Sequence, residues 1–258
     1  MNNKLRFFKI LGVILFLFGS GCAFAVPEGN DQDYITESQS LDNASTVSTT
    51  DQLEPFNRGM FGFNRFMDTI LFRPIAKVYD FVLPNFVQKG VNNFFSNIGE
   101  IPRVANDVLQ GNGTKAISDT FRFAINSTVG VGGVFDVASK AHLPKTHTDF
   151  GITLAKWGVK HSPYIVLPFL GPLTMVDTIA LWPEYEYLSI WPHIDPKRVR
   201  YELLGLDYIR IRDGMLPSDK LIDQAFDPYS LVKNAYLQHR NYLLEQSRAP
   251  YKRAETAD

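Results

Sequence analysis

The stretch EPFNRGMFGFNRFMDTILF, residues 54–72, decides the fold class of this chain. Its apolar residues recur at the three- and four-residue spacing of an α-helix, and Pro55 suits a first helical turn. One face carries Phe56, Met60, Phe63, Met67, Ile70 and Leu71. Phe61 and Phe72 fall roughly opposite. The pattern predicts a helix packed on two sides, or a helix whose second face, at Phe61 and Phe72, contacts lipid.

Helical spacing continues through residues 51–248, where the alternation typical of strands is rare. This body of about 200 residues is long enough for one sizeable core, and we predict a mostly α fold. Further helices are predicted at 83–102, 114–129, 196–212 and 228–246. N-terminal caps are predicted at Asp136, Asp149 and Asp227, with a capping box formed by Thr174 and Asp177.

The segment HSPYIVLPFLGPL, residues 161–173, interrupts this pattern with three prolines. Proline cannot donate to a strand ladder, so a β-hairpin is not expected here. We predict an extended apolar segment that either crosses the core or faces lipid. The candidates for lipid contact are Ile165, Leu167, Phe169 and Leu170.

The stretch NSTVGVGGVFDVAS, residues 126–139, places Gly130, Gly132 and Gly133 among apolar residues. A dinucleotide-binding loop would follow a strand and would carry another glycine at position 135, where this chain has Phe. The glycines are therefore interpreted as a turn that must stay bendable. Because a flexible apolar turn is unusual in water, we expect Val131, Val134 and Phe135 to contact lipid or to line a cavity.

The N-terminus has the form of a secretory signal peptide over residues 1–21. Its apolar run, Ile10–Phe18, is too short to span a bilayer. The only cysteine of the chain, Cys22, follows directly and is predicted to be lipidated; cleavage after Ala25 is the alternative. Residues 22–50 are polar and predict a flexible tether, and residues 249–258 a disordered tail.

Strong catalytic motifs are absent from the sequence, so we predict that the chain is not an enzyme. One cysteine excludes a disulfide and a cysteine-based zinc site, and we expect no metal or other cofactor. There is no basic stripe to bind nucleic acid. His147 and Asp149 could belong to a hydrolytic site, but Asp149 as a helix cap and His147 as a surface residue is the favoured interpretation.

Five stretches together resemble one known family. They are DQLEPFNRGMFGFNRFMD (51–68), FRFAINSTVGVGGVFDVAS (121–139), TDFGITLAKWGV (148–159), SPYIVLPFLGP (162–172) and DPYSLVKNAYLQHRNYL (227–243). In order and spacing they are similar to the VacJ/MlaA phospholipid-transport lipoproteins. The chain departs from the family pattern at Asp51-Gln52, and again at Leu173 and Val176-Asp177, where Ser and an Arg-Asp pair are expected. The Arg of a family salt bridge at the second place is therefore missing from this chain.

The resemblance implies a lipid-anchored protein on the periplasmic face of the outer membrane of a Gram-negative bacterium. It implies a ring-like helical body with an apolar membrane-embedded rim and a central amphipathic channel, bordered by a hinge at Gly130, Gly132 and Gly133. The implied partners are phospholipid, a trimeric outer-membrane porin and a soluble periplasmic carrier that receives misplaced outer-leaflet phospholipid. Two alternatives stay open: a structural lipoprotein that braces a porin, and a lipid hydrolase that uses His147 and Asp149.

Overall fold

The computed structural model of the protein describes residues 53–159 and 162–249. The predicted signal peptide, Cys22 and the tether lie outside these ranges, as does the predicted tail apart from Ala249. The described chain is mostly helical, as predicted, with one small sheet. None of its helices combines the length and the apolar character needed to cross a membrane.

The elements follow the chain in a simple order. The helices are α1 Glu54–Met67, α2 Arg73–Val82, α3 Asn85–Ile98, α4 Glu100–Leu109, α5 Gly113–Thr128, α6 Val137–Lys140, α7 Phe150–Lys156, α8 Met175–Pro183, α9 Lys197–Gly214, α10 Leu216–Gln224 and α11 Pro228–Arg248. The strands are β1 Tyr164–Leu167 and β2 Gly171–Thr174. Within the described chain, α4 packs along α5, α2 along α9, and α7 against both α8 and α11.

The first predicted helix is longer than its pattern indicated. A π-helical segment, Asp68–Phe72, joins α1 directly to α2, and the N–H of Arg73 donates to the carbonyl of Asp68. Pro74 lies in the first turn of α2 and has no N–H to donate, so the regular hydrogen-bond ladder cannot run through it. The wider π turn therefore precedes the proline, and the helical segment continues to Val82.

The prediction against a hairpin at residues 161–173 is wrong. Strands β1 and β2 pair antiparallel, with Tyr164 opposite Thr174 and Leu167 opposite Gly171. Pro172 is accommodated because β2 pairs with a strand on one side only, so a missing N–H at its outer edge costs no ladder bond. Pro172 lies opposite Val166, and Pro168 falls in the turn between the strands.

Two asparagines of α1 bind the outer edge of β1. Asn57 donates to the carbonyl of Tyr164 (3.1 Å) and accepts from the N–H of Val166 (2.8 Å). Asn64, two turns further on, donates to Leu167 (2.8 Å) and accepts from Phe169 (2.7 Å). The side chains thus take the place of a third strand and satisfy backbone groups that a free edge would leave unpaired.

The predicted helix caps are confirmed at four places. Asp136, Asp149 and Asp227 each accept a hydrogen bond from a backbone N–H in the first turn of the helix that follows. Thr174 and Asp177 form the predicted capping box of α8. The helix predicted from residue 196 begins at Lys197.

The distribution of polar and apolar residues is unusual for a water-soluble protein. Among the described residues, as many polar as apolar side chains are buried, including Glu100, Asn106, Asp119 and Arg122. Large apolar side chains are instead exposed along α1 to α3, where Phe81 is 90% and Phe86 77% exposed. Contiguous exposed apolar surface of this kind marks a contact with a membrane or with another protein.

Candidate functional site

A cavity of about 280 Å3 opens between α3, α4, α8, α9 and α11. Its lining is both charged and apolar. The ionisable side chains are those of Arg103, Lys145, Arg210 and Arg240 and of Asp149, Asp177, Glu184 and Asp207. The apolar ones include Phe95, Ile98, Leu173, Leu181, Trp191 and Leu243. Such a lining suits an amphiphilic ligand better than a wholly polar or wholly apolar one.

Arg240 of α11 joins the two capping carboxylates on one wall of the cavity. Its guanidinium donates to Asp149, at the start of α7, and to Asp177, in the first turn of α8. Tyr236, one turn earlier on α11, donates its hydroxyl to Asp177 (2.6 Å). Although burial opposes it, Arg240 holds the pKa of Asp149 below its usual range. The pair Asp177–Arg240 is an ion pair that the sequence did not predict.

Glu184 lies beside this cluster and is almost completely buried. It accepts a hydrogen bond from the N–H of Phe150 (3.2 Å). Burial, together with the charge of Asp149, raises the pKa of Glu184 to about 8. The folded protein thus holds Glu184 largely protonated at neutral pH, beside the two carboxylates that share the Arg240 guanidinium.

Another part of the cavity lining carries cationic and imidazole side chains. Arg103 of α4 donates to the carbonyls of Gly99 (3.0 Å), Ser96 (2.8 Å) and Thr146 (3.4 Å). The last of these bonds fixes the segment that carries Lys145 and His147 against α4. Partial desolvation by the cavity wall, followed by the charge of Lys145, lowers the pKa of His147, so the imidazole is neutral at pH 7.

His147 and Asp149 do not assemble as a hydrolytic pair in this structure. The carboxylate of Asp149 is bound by Arg240 and by the N–H of Ile152 (2.8 Å). His147 is solvent-exposed, as the sequence suggested, and it also forms part of the cavity wall, with Lys145 and Arg103 as its charged neighbours. Among the described residues, no group of three metal-ligating side chains could hold a metal ion.

The glycine-rich turn is tightly built and lies outside the lining of this cavity. Gly132 and Gly133 have positive φ angles of 69° and 90°, and Val131 has 53°. The left-handed region strains a β-branched residue such as Val131. The turn is closed by hydrogen bonds from Gly133 to Asn126 (2.8 Å) and from the N–H of Phe135 to Gly130 (2.9 Å).

The predicted lipid-facing residues differ in exposure. Val131, Val134, Phe135 and Phe169 are exposed. Ile165, Leu167 and Leu170 are half-buried. Phe61 and Phe72 are half-buried too, because their rings pack against Tyr229 and Tyr208. The exposed apolar side of α1 and its π-helical extension instead carries Phe56, Phe63, Phe66 and Ile70.

The fold and the cavity define a mostly helical protein with an amphiphilic cavity and exposed apolar helix faces. The chain belongs to the MlaA lipoprotein family, whose family model matches residues 49–243. An uncharacterized protein of Rickettsia prowazekii is 35% identical over 233 residues, covering 88% of this chain and 91% of the relative. The intermembrane phospholipid transport system lipoprotein MlaA of Escherichia coli is 34% identical over 203 residues, covering 75% and 78%.

A solved structure reported as the structural basis for maintenance of bacterial outer membrane lipid asymmetry has a similar fold. The TM-score is 0.67 at 31% sequence identity, and the match covers 76% of this chain and 99% of the other. The family expectation drawn from the sequence motifs is therefore confirmed.

Proposed function

We propose that this protein is an outer-membrane lipoprotein that removes misplaced phospholipid from the outer leaflet and passes it to a soluble periplasmic carrier. Family membership supports the proposal, and so does the Escherichia coli relative, which is a lipoprotein of an intermembrane phospholipid transport system. The observation that carries it is the cavity, whose lining combines charged side chains with apolar ones. In this account the protein preserves outer-membrane lipid asymmetry by transport, and no covalent bond of the lipid is broken.

The exterior suits a body that lies within one leaflet. Helices that expose an apolar face without spanning the bilayer sit in the membrane interface. The side chains proposed for this apolar rim are Phe56, Phe63, Phe66, Ile70, Val78, Phe81 and Phe86 on α1 to α3, and Ile117, Phe121, Val131 and Phe135 further along the chain. A ring of such helices would exclude the surrounding lipids from the cavity at its centre.

The cavity would then serve as the lipid path. A headgroup that enters it exchanges water for charged and hydrogen-bonding side chains, which limits the cost of its desolvation. The acyl chains would follow the apolar lining residues, such as Phe95 and Leu243. Cys22, when lipidated, would anchor the body to the periplasmic face, and a porin trimer would be its neighbour in the membrane.

Bound lipid provides the test of this function. The full-length protein, purified from membranes in detergent, is expected to retain about one phospholipid per molecule with both acyl chains intact. Mass spectrometry of the extracted lipid and a phosphorus assay measure both quantities. Absence of bound phospholipid would contradict the transport proposal. Lysophospholipid and free fatty acid formed on incubation would favour the hydrolase alternative instead.

A further inference from the structure

The cations that line the cavity are not equally neutralised. Arg240 is paired with Asp149 and Asp177, and Arg210 with Asp207, and all three carboxylates line the cavity themselves. Arg103 is paired with Glu100 (3.2 Å), which does not line it. Within the described part of the chain, Lys145 makes no hydrogen bond and no ion pair.

The carboxylates that act on the charge of Lys145, those of Glu100 and Asp136, do not line the cavity. Glu100 is fully buried and is shared by Arg103 and Arg122. Asp136 caps α6 and is held by Arg122. Neither carboxylate lines the cavity, so the surface presented at this wall is cationic. The side chain of Lys145 is solvent-exposed at this wall. Partial desolvation, followed by the charge of Arg103, lowers the pKa of Lys145, yet the ammonium still carries its charge at neutral pH.

We propose that Lys145, supported by Arg103 and His147, is the site that receives the phosphate group of the lipid within the cavity. This inference rests on the proposed function and specifies its binding site. An ammonium offers three donors, and the neutral imidazole of His147 offers one more, while Arg103 supplies charge from a fixed position. The hydrogen bond from Arg103 to Thr146 sets the place of both residues on the wall.

The neighbouring surface indicates that the anion belongs to an amphiphile. Ile98 and Pro102, on the same side of the cavity as Arg103, are apolar, and Phe95 and Leu243 extend the apolar lining. A free phosphate ion would leave these side chains in contact with water and would gain nothing from them. A phosphodiester that carries acyl chains would use both parts of the lining.

Comparing the affinities of three ligands distinguishes a site for a lipid phosphate from a site for a free anion. The ligands are dioctanoyl phosphatidylglycerol, whose phosphate is its only charge, the neutral dioctanoylglycerol, and inorganic phosphate. The wild-type protein is compared with Lys145→Gln, with the charge-conserving Lys145→Arg, and with Lys89→Gln, which removes an exposed lysine outside the cavity. Titration calorimetry in detergent measures the affinities, and circular dichroism checks the fold.

Loss of one charge-assisted hydrogen bond predicts at least about 10-fold weaker binding of phosphatidylglycerol by Lys145→Gln. Lys145→Arg and Lys89→Gln should stay within about twofold of wild type, and no variant should change the affinity for dioctanoylglycerol. An unchanged affinity of Lys145→Gln for phosphatidylglycerol would overturn the site. Inorganic phosphate bound as tightly as phosphatidylglycerol would overturn its assignment to lipid. A wild-type protein that binds neither lipid would refute the proposed function itself.

Discussion

Replacing Arg240 with Met is expected to lower the free energy of unfolding by on the order of 3 kcal/mol at pH 7 to 8. The guanidinium is the cation shared by Asp149 and Asp177, and Glu184 lies beside them. Methionine fills a similar volume but leaves these carboxylates without their partner in a poorly solvated site. An unpaired buried charge costs more than the ion pair contributed.

The loss should depend on pH with a definite sign. Without Arg240, the folded-state pKa of Asp149 rises above that of the unfolded chain, because burial then acts on this carboxylate without the compensating guanidinium charge. A group with a raised pKa stabilises the fold below its unfolded pKa, and this contribution is lost as the pH rises through the folded value. The deficit of the variant is therefore smaller at pH 5 than at pH 8, and urea denaturation at both pH values measures it.

Arg198→Met is the matched control for this variant. Arg198 also lies in a helix and pairs with a carboxylate, Glu202, but its side chain is 86% exposed. Exposed pairs of this kind contribute little to stability, so we expect no resolvable change. Equal losses in the two variants, or a deficit that grows toward low pH, would show that the Arg240 cluster does not stabilise the fold as described.

The second large effect is expected in the glycine-rich turn. A β-carbon at Gly130 would collide with the backbone carbonyls of Asn126 and Phe135, which cannot move independently. A β-carbon at Gly132 would meet nothing within 4 Å, although its φ of 69° strains any other residue. Gly130→Ala should therefore cost about 1–3 kcal/mol through overpacking, and Gly132→Ala about 1 kcal/mol through backbone strain.

Measuring both protein abundance and phospholipid clearance distinguishes a folding role of these glycines from a role as a hinge. Gly130→Ala is expected to reduce protein abundance on an immunoblot, while Gly132→Ala stays near normal. If the turn moves during transport, Gly132→Ala should still impair clearance of phospholipid from the cell surface. Normal clearance in that variant would show that the glycine is needed for packing and that the turn does not act as a hinge. Normal abundance of Gly130→Ala would contradict the close contacts of the turn.

The sequence predicted those features of the fold that depend on residues close together in the chain. Helical spacing and cap residues such as Asp149 and Thr174 act within one turn, so the sequence indicates them directly. The hairpin was missed because its stability depends on Asn57 and Asn64, about a hundred residues away, which satisfy the edge of β1. No residue pattern within 161–173 indicates the contact with Asn57 and Asn64.

The cavity could not be predicted from the sequence either, because the residues that meet in its wall are far apart in the chain. Asp149 was predicted as a cap, but its partner Arg240 is 91 residues away and belongs to a different helix. Lys145 has no local pattern that distinguishes it from a surface lysine. The two faces of α1 were ambiguous, since a membrane-bound helix and a core helix share the same period. The structure leaves Phe56 and Phe63 exposed and packs Phe61 against Tyr229.

The amount of phospholipid in the outer leaflet of cells that lack this protein tests the transport account most directly. Deletion of its gene should increase phospholipid at the cell surface, measured by a surface-selective acyl-transfer or labelling assay. Expression of the wild-type chain should restore the normal amount, with porin abundance and trimer stability unchanged throughout. A deletion strain with unchanged outer-leaflet phospholipid and less stable porin trimers would contradict transport and favour the bracing role.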